Sequence, residues 1–126
     1  MKDFRRLTVW ERALRLTLDV YKITSTFTRE ELYGLTSQMR RSSASIAANI
    51  AEGCGRTGNG EFHEFLNTAA DSAVELEYFL LLSCDLGFVS QDRYDSLQAK
   101  IVEVERMLAA LLRKVDIARR LPTASC

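Results

Sequence analysis

The sequence has almost no proline, and the one it has, Pro122, stands near the end of the chain. Because proline breaks the interior of a helix, its absence from residues 1–121 leaves long helices free to form. Glycine is also scarce, and four of the six glycines fall in one short stretch, residues 53–60. No segment shows the sustained period-two alternation of apolar and polar residues that is typical of a strand. These absences predict an all-α protein.

Histidine and cysteine are too few to build most catalytic or metal sites. The sequence has one histidine and three cysteines: His63, Cys54, Cys84 and Cys126. The cysteine spacing fits neither a disulfide framework nor a zinc site and is typical of a reducing cytoplasm. The histidine completes neither the Glu-x-x-His pairs of a bundle metal site nor an H-E-x-x-H motif. With one histidine and unpaired cysteines, no catalytic pair of a nucleophile and a base can be identified. We predict a protein that is not an enzyme and holds no metal or other cofactor.

Long apolar runs and an apolar leader are missing as well. The longest apolar run, residues 78–89, is broken by Asp85 and is shorter than the ~20 residues that a membrane-spanning helix needs. The first six residues carry charges with no apolar stretch behind them, unlike a secretory signal. We predict a cytoplasmic protein with no membrane partner.

One stretch resembles a nucleotide-binding motif in its letters alone. Residues 53–58, Gly-Cys-Gly-Arg-Thr-Gly, match G-x-G-x-x-G. That fingerprint binds a dinucleotide when a strand leads into the loop, whereas a helix leads into it here. We therefore interpret the stretch as a helix connection and predict no small-molecule substrate.

Apolar residues recur at spacings of three and four in four segments, as expected for amphipathic helices. Thr8 and Glu11 have the form of a capping box at the start of the first helix, whose predicted buried face includes Leu14 and Tyr21. The predicted helices cover residues 8–27, 35–53, 61–86 and 91–118. Long helices with short connections favour an antiparallel up-down-up-down four-helix bundle. We predict one domain, residues 1–121, and a flexible tail, residues 122–126.

Charge is balanced overall, with 17 basic and 17 acidic residues, but it is unevenly placed. Residues 61–85 hold six acids and no lysine or arginine, whereas lysines and arginines gather near the two chain ends. An up-down bundle brings both ends to one pole, together with the glycine-rich loop. The residues that we predict to form this basic pole, and to contact RNA or DNA if the protein binds either, are Arg5, Arg6, Arg56, Arg113, Lys114, Arg119 and Arg120. The alternative is that these side chains are only solvated or paired charges.

The second helix is poor in large apolar residues. On a helical wheel, Leu35, Met39, Ile46 and Ile50 form a narrow apolar side that suits the core. The remaining surface has a stripe of small and polar residues, which we call the α2 polar stripe: Gln38, Arg41, Ser42, Ser45, Ala48, Asn49 and Glu52. Small side chains let another backbone approach closely, and the polar ones can hydrogen-bond to it. We predict that this stripe meets a neighbouring helix or subunit; the alternative is an exposed, serine-rich surface.

Three pieces of the sequence resemble a known family. They are F-x-x-L-x-V-W from residue 4, Y-G-L-T-S-Q-x-R-R from residue 33 and N-I-A-E-G from residue 49. The chain is similar in these letters to the four-helix-bundle proteins encoded in intervening sequences of bacterial 23S rRNA genes, also labelled S23 ribosomal proteins. The resemblance implies a ring-shaped homo-oligomer, typically a pentamer, with no catalytic activity established for the family. A related group, the accessory proteins of diversity-generating retroelements, is strongly basic and binds nucleic acid, whereas this chain is neutral.

The sequence therefore predicts a non-enzymatic protein whose partner is another copy of itself, and the resemblance implies that the homo-oligomer is a ring. The alternative function is a nucleic-acid-binding accessory protein that uses the basic pole.

Overall fold

The structure is a computed structural model that describes residues 3–56 and 58–120. It has four α-helices: α1 (Thr8–Thr24), α2 (Ser37–Cys54), α3 (Asn59–Asp85) and α4 (Gln91–Arg120). A 3₁₀ turn, Phe4–Arg6, precedes α1, and a second one, Arg29–Glu31, leads into a π-helical turn, Leu32–Thr36, before α2. No strand occurs in this part of the chain. The predicted all-α class is confirmed, while the predicted tail, residues 122–126, lies outside the described residues.

Contacts between α2 and its two neighbours show that it runs antiparallel to both. Toward α3, the side chains of Met39 and Ser83 meet at 3.3 Å near one end, and those of Ser45 and Ser72 meet at 2.8 Å further along. Toward α1, the Thr17 hydroxyl donates to the Ser43 carbonyl, and the Arg40 guanidinium donates to the Thr24 hydroxyl. In both helix pairs the residue numbers rise along one helix as they fall along the other.

The fourth helix closes the bundle between α3 and α1. Gln98 donates to Glu77 at 2.9 Å, and Gln91 lies near Cys84. On the other side, α4 forms ion pairs with α1 that join Glu103 to Arg12 and Lys100 to Asp19. These pairs are again antiparallel, so the helices form the predicted up-down-up-down bundle. The start of α1, the end of α2, the start of α3 and the end of α4 therefore share one pole.

The core runs along the bundle axis and takes residues from every helix. Leu16, Ile46, Leu76 and Ile101 are among its fully buried side chains, one from each helix. Burying an aliphatic side chain of this size contributes ~1.5–3 kcal/mol, so the core supplies the main driving force for folding.

The buried side of α1 differs from the one that the sequence predicts. The buried residues of α1 are Val9, Ala13, Leu16, Val20, Ile23 and Thr24. Leu14 and Tyr21, which the sequence places on the buried face, are exposed instead. The first helix has apolar residues on two adjacent sides, and the core takes only one of them.

Both ends of α1 also differ in detail from the prediction. Leu7 occupies the N-terminal cap position without a side-chain cap, and Glu11 pairs with Arg15 rather than closing a capping box with Thr8. The helix ends at Thr24, three residues before the predicted end. There, the hydroxyls of Thr24, Ser25 and Thr26 donate to the carbonyls of Val20, Lys22 and Ile23. Such local bonds compete with the helical pattern and favour its termination.

Gly53, the second-last residue of α2, lies in a close contact with α3. A Cβ at this position would stand 2.9 Å from Cδ1 of Phe62 and 2.9 Å from Cβ of Phe65. A Cβ atom cannot swing aside as the end of a side chain can, so any larger residue must push the two helices apart. Gly60, in the first turn of α3, has no atom within 4 Å of the corresponding position.

We expect Gly53→Ala to lower the free energy of unfolding. Alanine adds ~0.5–1 kcal/mol of helix propensity, but overpacking a tight contact costs ~1–3 kcal/mol. Gly60→Ala is the matched control, because it makes the same change in open space and should raise stability by ~0.5–1 kcal/mol. Chemical denaturation followed by circular dichroism measures both. Equal stabilisation by the two substitutions would contradict the close contact at Gly53.

Candidate assembly surfaces

The α2 polar stripe divides into a part that faces α3 and a part that faces outward. Ser42 is 3% exposed, and its hydroxyl donates to the Gln38 carbonyl at 2.8 Å. The Ser45 hydroxyl bonds to that of Ser72 on α3, and Asn49 donates to the Ser45 carbonyl at 2.8 Å. The neighbour that Ser45 meets is thus a helix of the same chain, whereas Ser42 and Asn49 bond within α2. The serines are small because α2 and α3 pack closely there.

The outward part of the α2 polar stripe consists of four exposed residues: Gln38, Arg41, Ala48 and Glu52. Glu52 accepts a hydrogen bond from Arg56 one turn later, at 3.0 Å. Arg41 has no carboxylate within 4.0 Å among the residues that the structure describes, so its charge is available to a partner.

Three exposed apolar residues, Leu14, Leu18 and Tyr21, form a stripe on the outside of α1, which we call the α1 stripe. Leu14 and Tyr21 stand three residues before and four residues after Thr17, so they share its side of the helix. The Thr17 hydroxyl bonds to the carbonyl of Ser43, which places this side next to α2. Leu18, at the centre of this stripe, is 59% exposed.

Part of α2 extends the apolar surface beside the α1 stripe. The guanidinium of Arg40 lies over the Tyr21 ring, 4.6 Å from its centroid. Ala44 and Ala48 follow Arg40 at intervals of one turn and are exposed. We call the surface that combines the two helices the α1–α2 face; its residues are Leu14, Leu18, Tyr21, Arg40, Arg41, Ala44 and Ala48.

A second stripe lies on α3 and consists of Val74, Tyr78 and Leu81, which we call the α3 stripe. Val74 and Leu81 stand three residues before and four residues after Glu77, which accepts a hydrogen bond from Gln98 of α4. The stripe therefore lies on the α4 side of α3. In the bundle, α1 and α3 are diagonal to each other, with α2 on one side of them and α4 on the other. The α1 stripe lies on the α2 side and the α3 stripe on the α4 side, so the α3 stripe points away from the α1–α2 face.

Carboxylates surround the α3 stripe. Asp71 and Asp85 continue it by one turn at either end, and both are exposed. Glu77 and Glu105 face each other where α3 packs on α4, and both are half-buried. We call this surface the α3–α4 face; its residues are Asp71, Val74, Glu77, Tyr78, Leu81, Asp85 and Glu105. Arg106, the neighbour of Glu105, is a base at its rim, and the face as a whole is acidic.

The two facing carboxyl groups interact strongly. Burial, together with the hydrogen bond and the charge of Glu77, raises the pKa of Glu105 to about 7. The pair therefore shares a proton below neutral pH and carries a second negative charge above it.

The helix arrangement puts the elements that carry the predicted basic pole at the same end of the bundle, and some of its bases are already paired. Arg56 pairs with Glu52 and lies over the ring of Phe65, and Arg5 lies 4.0 Å from Asp3. Among the described residues, no carboxylate stands within 4.0 Å of the other bases there, which are Arg6, Arg113, Lys114 and Arg119. The side chain of Arg120 lies outside the described part. The free positive charge of this pole thus comes mainly from the end of α4.

The residues described by the structure contain no group of histidine, cysteine and carboxylate side chains that could hold a metal ion. His63 is half-buried, and its Nδ1 hydrogen-bonds to the side chain of Asn67 on the same helix. None of the helices in this part of the chain combines the length and the apolar character that crossing a membrane requires.

We expect Glu105→Gln to change how stability depends on pH. A carboxyl group whose pKa is raised by folding stabilises the folded state below its ordinary pKa, and this contribution is lost as the pH rises through about 7. Between about pH 5 and about pH 8, the free energy of unfolding should therefore fall more in the wild type than in the variant. Glu64→Gln, at an exposed position of α3, is the control and should follow the wild type. Parallel curves for wild type and Glu105→Gln would contradict the shared proton.

Comparison with solved structures places the bundle beside a crystal structure of a protein of unknown function from the S23 ribosomal protein family of Bacteroides thetaiotaomicron VPI-5482. The match has a TM-score of 0.78 and covers 83% of this chain and 95% of that one, at 24% sequence identity. At this identity the likeness supports the four-helix fold alone. No curated protein matches the sequence. Among protein families, the model of the 23S rRNA-intervening sequence proteins matches residues 5–110. The chain thus belongs to the family of 23S rRNA-intervening sequence proteins.

Proposed function

We propose that this protein is a non-enzymatic bundle whose function is to assemble with copies of itself into a ring. The observation that carries the proposal is the concentration of exposed apolar side chains. In the described part of the chain, ten large apolar residues are exposed, and six of them belong to the α1 and α3 stripes. Single exposed apolar residues are ordinary, but grouped ones mark surfaces that bind a partner.

The α2 polar stripe supports the same proposal in its outward part. Ala44 and Ala48 leave room for a partner helix to approach the backbone closely, and Arg41 beside them has no carboxylate within 4.0 Å among the described residues. An ordinary solvent-facing helix surface carries long charged side chains at such positions. The combination of alanines and a free arginine fits a contact surface better than a solvated one.

The chemistry available in the described residues favours assembly over catalysis. The one histidine hydrogen-bonds to an asparagine rather than to a nucleophile, and the strongly shifted carboxyl, Glu105, faces another carboxyl at a helix seam rather than in a deep cleft. Strongly shifted pKa values also occur in structural carboxyl pairs, so this one does not indicate a reaction.

We expect light scattering behind a sizing column to give a mass of several chains at micromolar concentration. The family resemblance points to about five times the chain mass of 14.3 kDa. A monomer over the whole concentration range would overturn the proposal.

The contribution of the outward α2 surface is tested by Ala48→Arg, which puts a long charged side chain where close approach is expected. We expect it to lower the assembled mass. Ser96→Arg is the matched control, since Ser96 is exposed on the α1 side of α4 and should leave the mass unchanged. If the two variants behave alike, the outward part of the α2 polar stripe is not an interface.

A second function, binding of RNA or DNA by the basic pole, is favoured by one observation. Arg113, Lys114 and Arg119 lie at the end of α4 without carboxylate partners in the described part of the chain. Phosphate binding by such a cluster releases counterions, so the affinity falls steeply with salt.

We expect Arg113→Gln with Lys114→Gln to weaken binding to structured RNA at low salt and to reduce the slope of log affinity against log salt. The slope should change by ~0.7–0.9 for each lost phosphate contact. The control is Arg29→Gln with Arg93→Gln, which removes two bases at the opposite pole. Fluorescence anisotropy over a salt series measures both. Equal slopes for the two double variants would show that the pole is not the binding surface.

A further inference from the structure

We propose that the α1–α2 face of one copy binds the α3–α4 face of the next copy, head to tail. The inference rests on the self-association proposed above and goes beyond it by naming the two surfaces that meet. Three features of the molecule support it: the matched spacing of the two apolar stripes, the difference in charge around them, and their positions on opposite sides of the bundle.

The two stripes have the same spacing along their helices. Leu14, Leu18 and Tyr21 stand at intervals of four and three residues, and Val74, Tyr78 and Leu81 do the same. Each stripe therefore covers about two helical turns, ~10 Å along the axis. Helices pack by placing the side-chain ridges of one into the grooves of the other, so two stripes of equal period can pack along their whole length. Each stripe also holds one tyrosine and two aliphatic residues.

The charges around the stripes are of opposite sign. Arg40 and Arg41 are the bases of the α1–α2 face, beside Tyr21. The α3 stripe ends in an exposed aspartate on each side, Asp71 and Asp85, and α3 has no lysine or arginine between residues 61 and 85. Packing α3 on α3 would bring these acids together, and packing two α1–α2 faces would oppose the arginines. The contact between unlike faces instead brings the two aspartates toward the two arginines.

The opposite positions of the two faces determine how the assembly grows. When a face binds the same face of another copy, both copies of that face are buried in a dimer and growth stops. When two unlike faces on opposite sides bind, each end of the dimer still exposes one unbound face. Each added copy again presents a free face, until the curvature closes the ring. The proposed contact therefore predicts a closed ring or a filament and excludes a two-fold dimer as the end state.

Two single-face variants test this arrangement. Leu18→Asp places a charge in the α1–α2 face, and Tyr78→Asp places one in the α3–α4 face; both wild-type side chains are 59% exposed, so neither change should disturb the core. Each variant alone has one intact face and no complementary one, so we expect it to sediment as a monomer. An equimolar mixture has one intact contact per pair and should sediment as a dimer. Thermal unfolding by circular dichroism verifies that each variant is folded.

The double variant Leu18→Asp/Tyr78→Asp is the control, because it lacks both faces and should stay monomeric when mixed with either single variant. Sedimentation is measured up to several hundred micromolar, since the pair lacks the added stability of a closed ring. A variant that forms a dimer alone would show that one face pairs with its own kind, and a mixture that stays monomeric beside an assembled wild type would show that other surfaces meet. Both results overturn the inference, whereas a monomeric wild type overturns the proposed function itself.

Discussion

The close approach of α2 to α3 is the constraint on which the other features of this bundle depend. At one end Gly53 leaves no room for a Cβ against the two phenylalanines of α3, and further along Ser45 and Ser72 bond across the helix pair. The core of α3 at this level is made of Ala69 and Ala73, which also allow a short distance between helices. Because α2 packs on α3 through small polar residues such as Ser45, these residues are not available to a partner. The apolar surface left for a partner then lies mainly on α1 and α3.

Apolar burial and charge have different tasks in the proposed contact. Burying apolar surface contributes ~25 cal/mol for each Å², so the six side chains of the two stripes are the main source of affinity. Exposed ion pairs contribute only ~0–1 kcal/mol each, so pairs between Arg41 and the aspartates of α3 add little to the affinity. Their effect is on the choice of surface, since like charges brought together cost several kcal/mol. The stripes thus provide the affinity of the contact, and the charges determine which face binds which.

The sequence predicts the fold well because a bundle is encoded by periodic spacing. The positions of Ile46, Leu76 and Ile101 on apolar stripes suffice to place them in the core, and short connections suffice to make the helices antiparallel. The sequence is less informative about α1, where apolar residues occupy two adjacent sides. A helical wheel gives the angle between Leu14 and Leu16 but not which of them meets the core, since that depends on where α2 and α4 lie. Leu14, Leu18 and Tyr21 are exposed for this reason, although the spacing of Leu14 and Tyr21 alone suggests burial.

The same limit applies to the α2 polar stripe. Its small residues predict that a neighbour approaches closely, but a helical wheel cannot tell a helix of the same chain from one of another copy. The structure shows only which positions are buried within one chain: Ser42 is 3% exposed, whereas Ala48 is exposed. The Glu77–Glu105 pair could not be predicted at all from spacing, because it joins positions 28 residues apart that meet only through the register of α3 on α4.

A head-to-tail ring would also connect the two functions considered for this protein. Rotation about a single axis places equivalent atoms of all copies at the same height, so every basic pole would lie on one rim of the ring. The four described bases of this pole without a carboxylate within 4.0 Å would then be repeated around that rim, and several weak phosphate contacts made together bind far more tightly than one. A two-fold dimer that pairs each face with its own kind provides no such rim, since it holds only two copies of the pole. Neutral net charge in the single chain is therefore compatible with nucleic-acid binding by the assembly, provided that the unlike faces are the ones that meet.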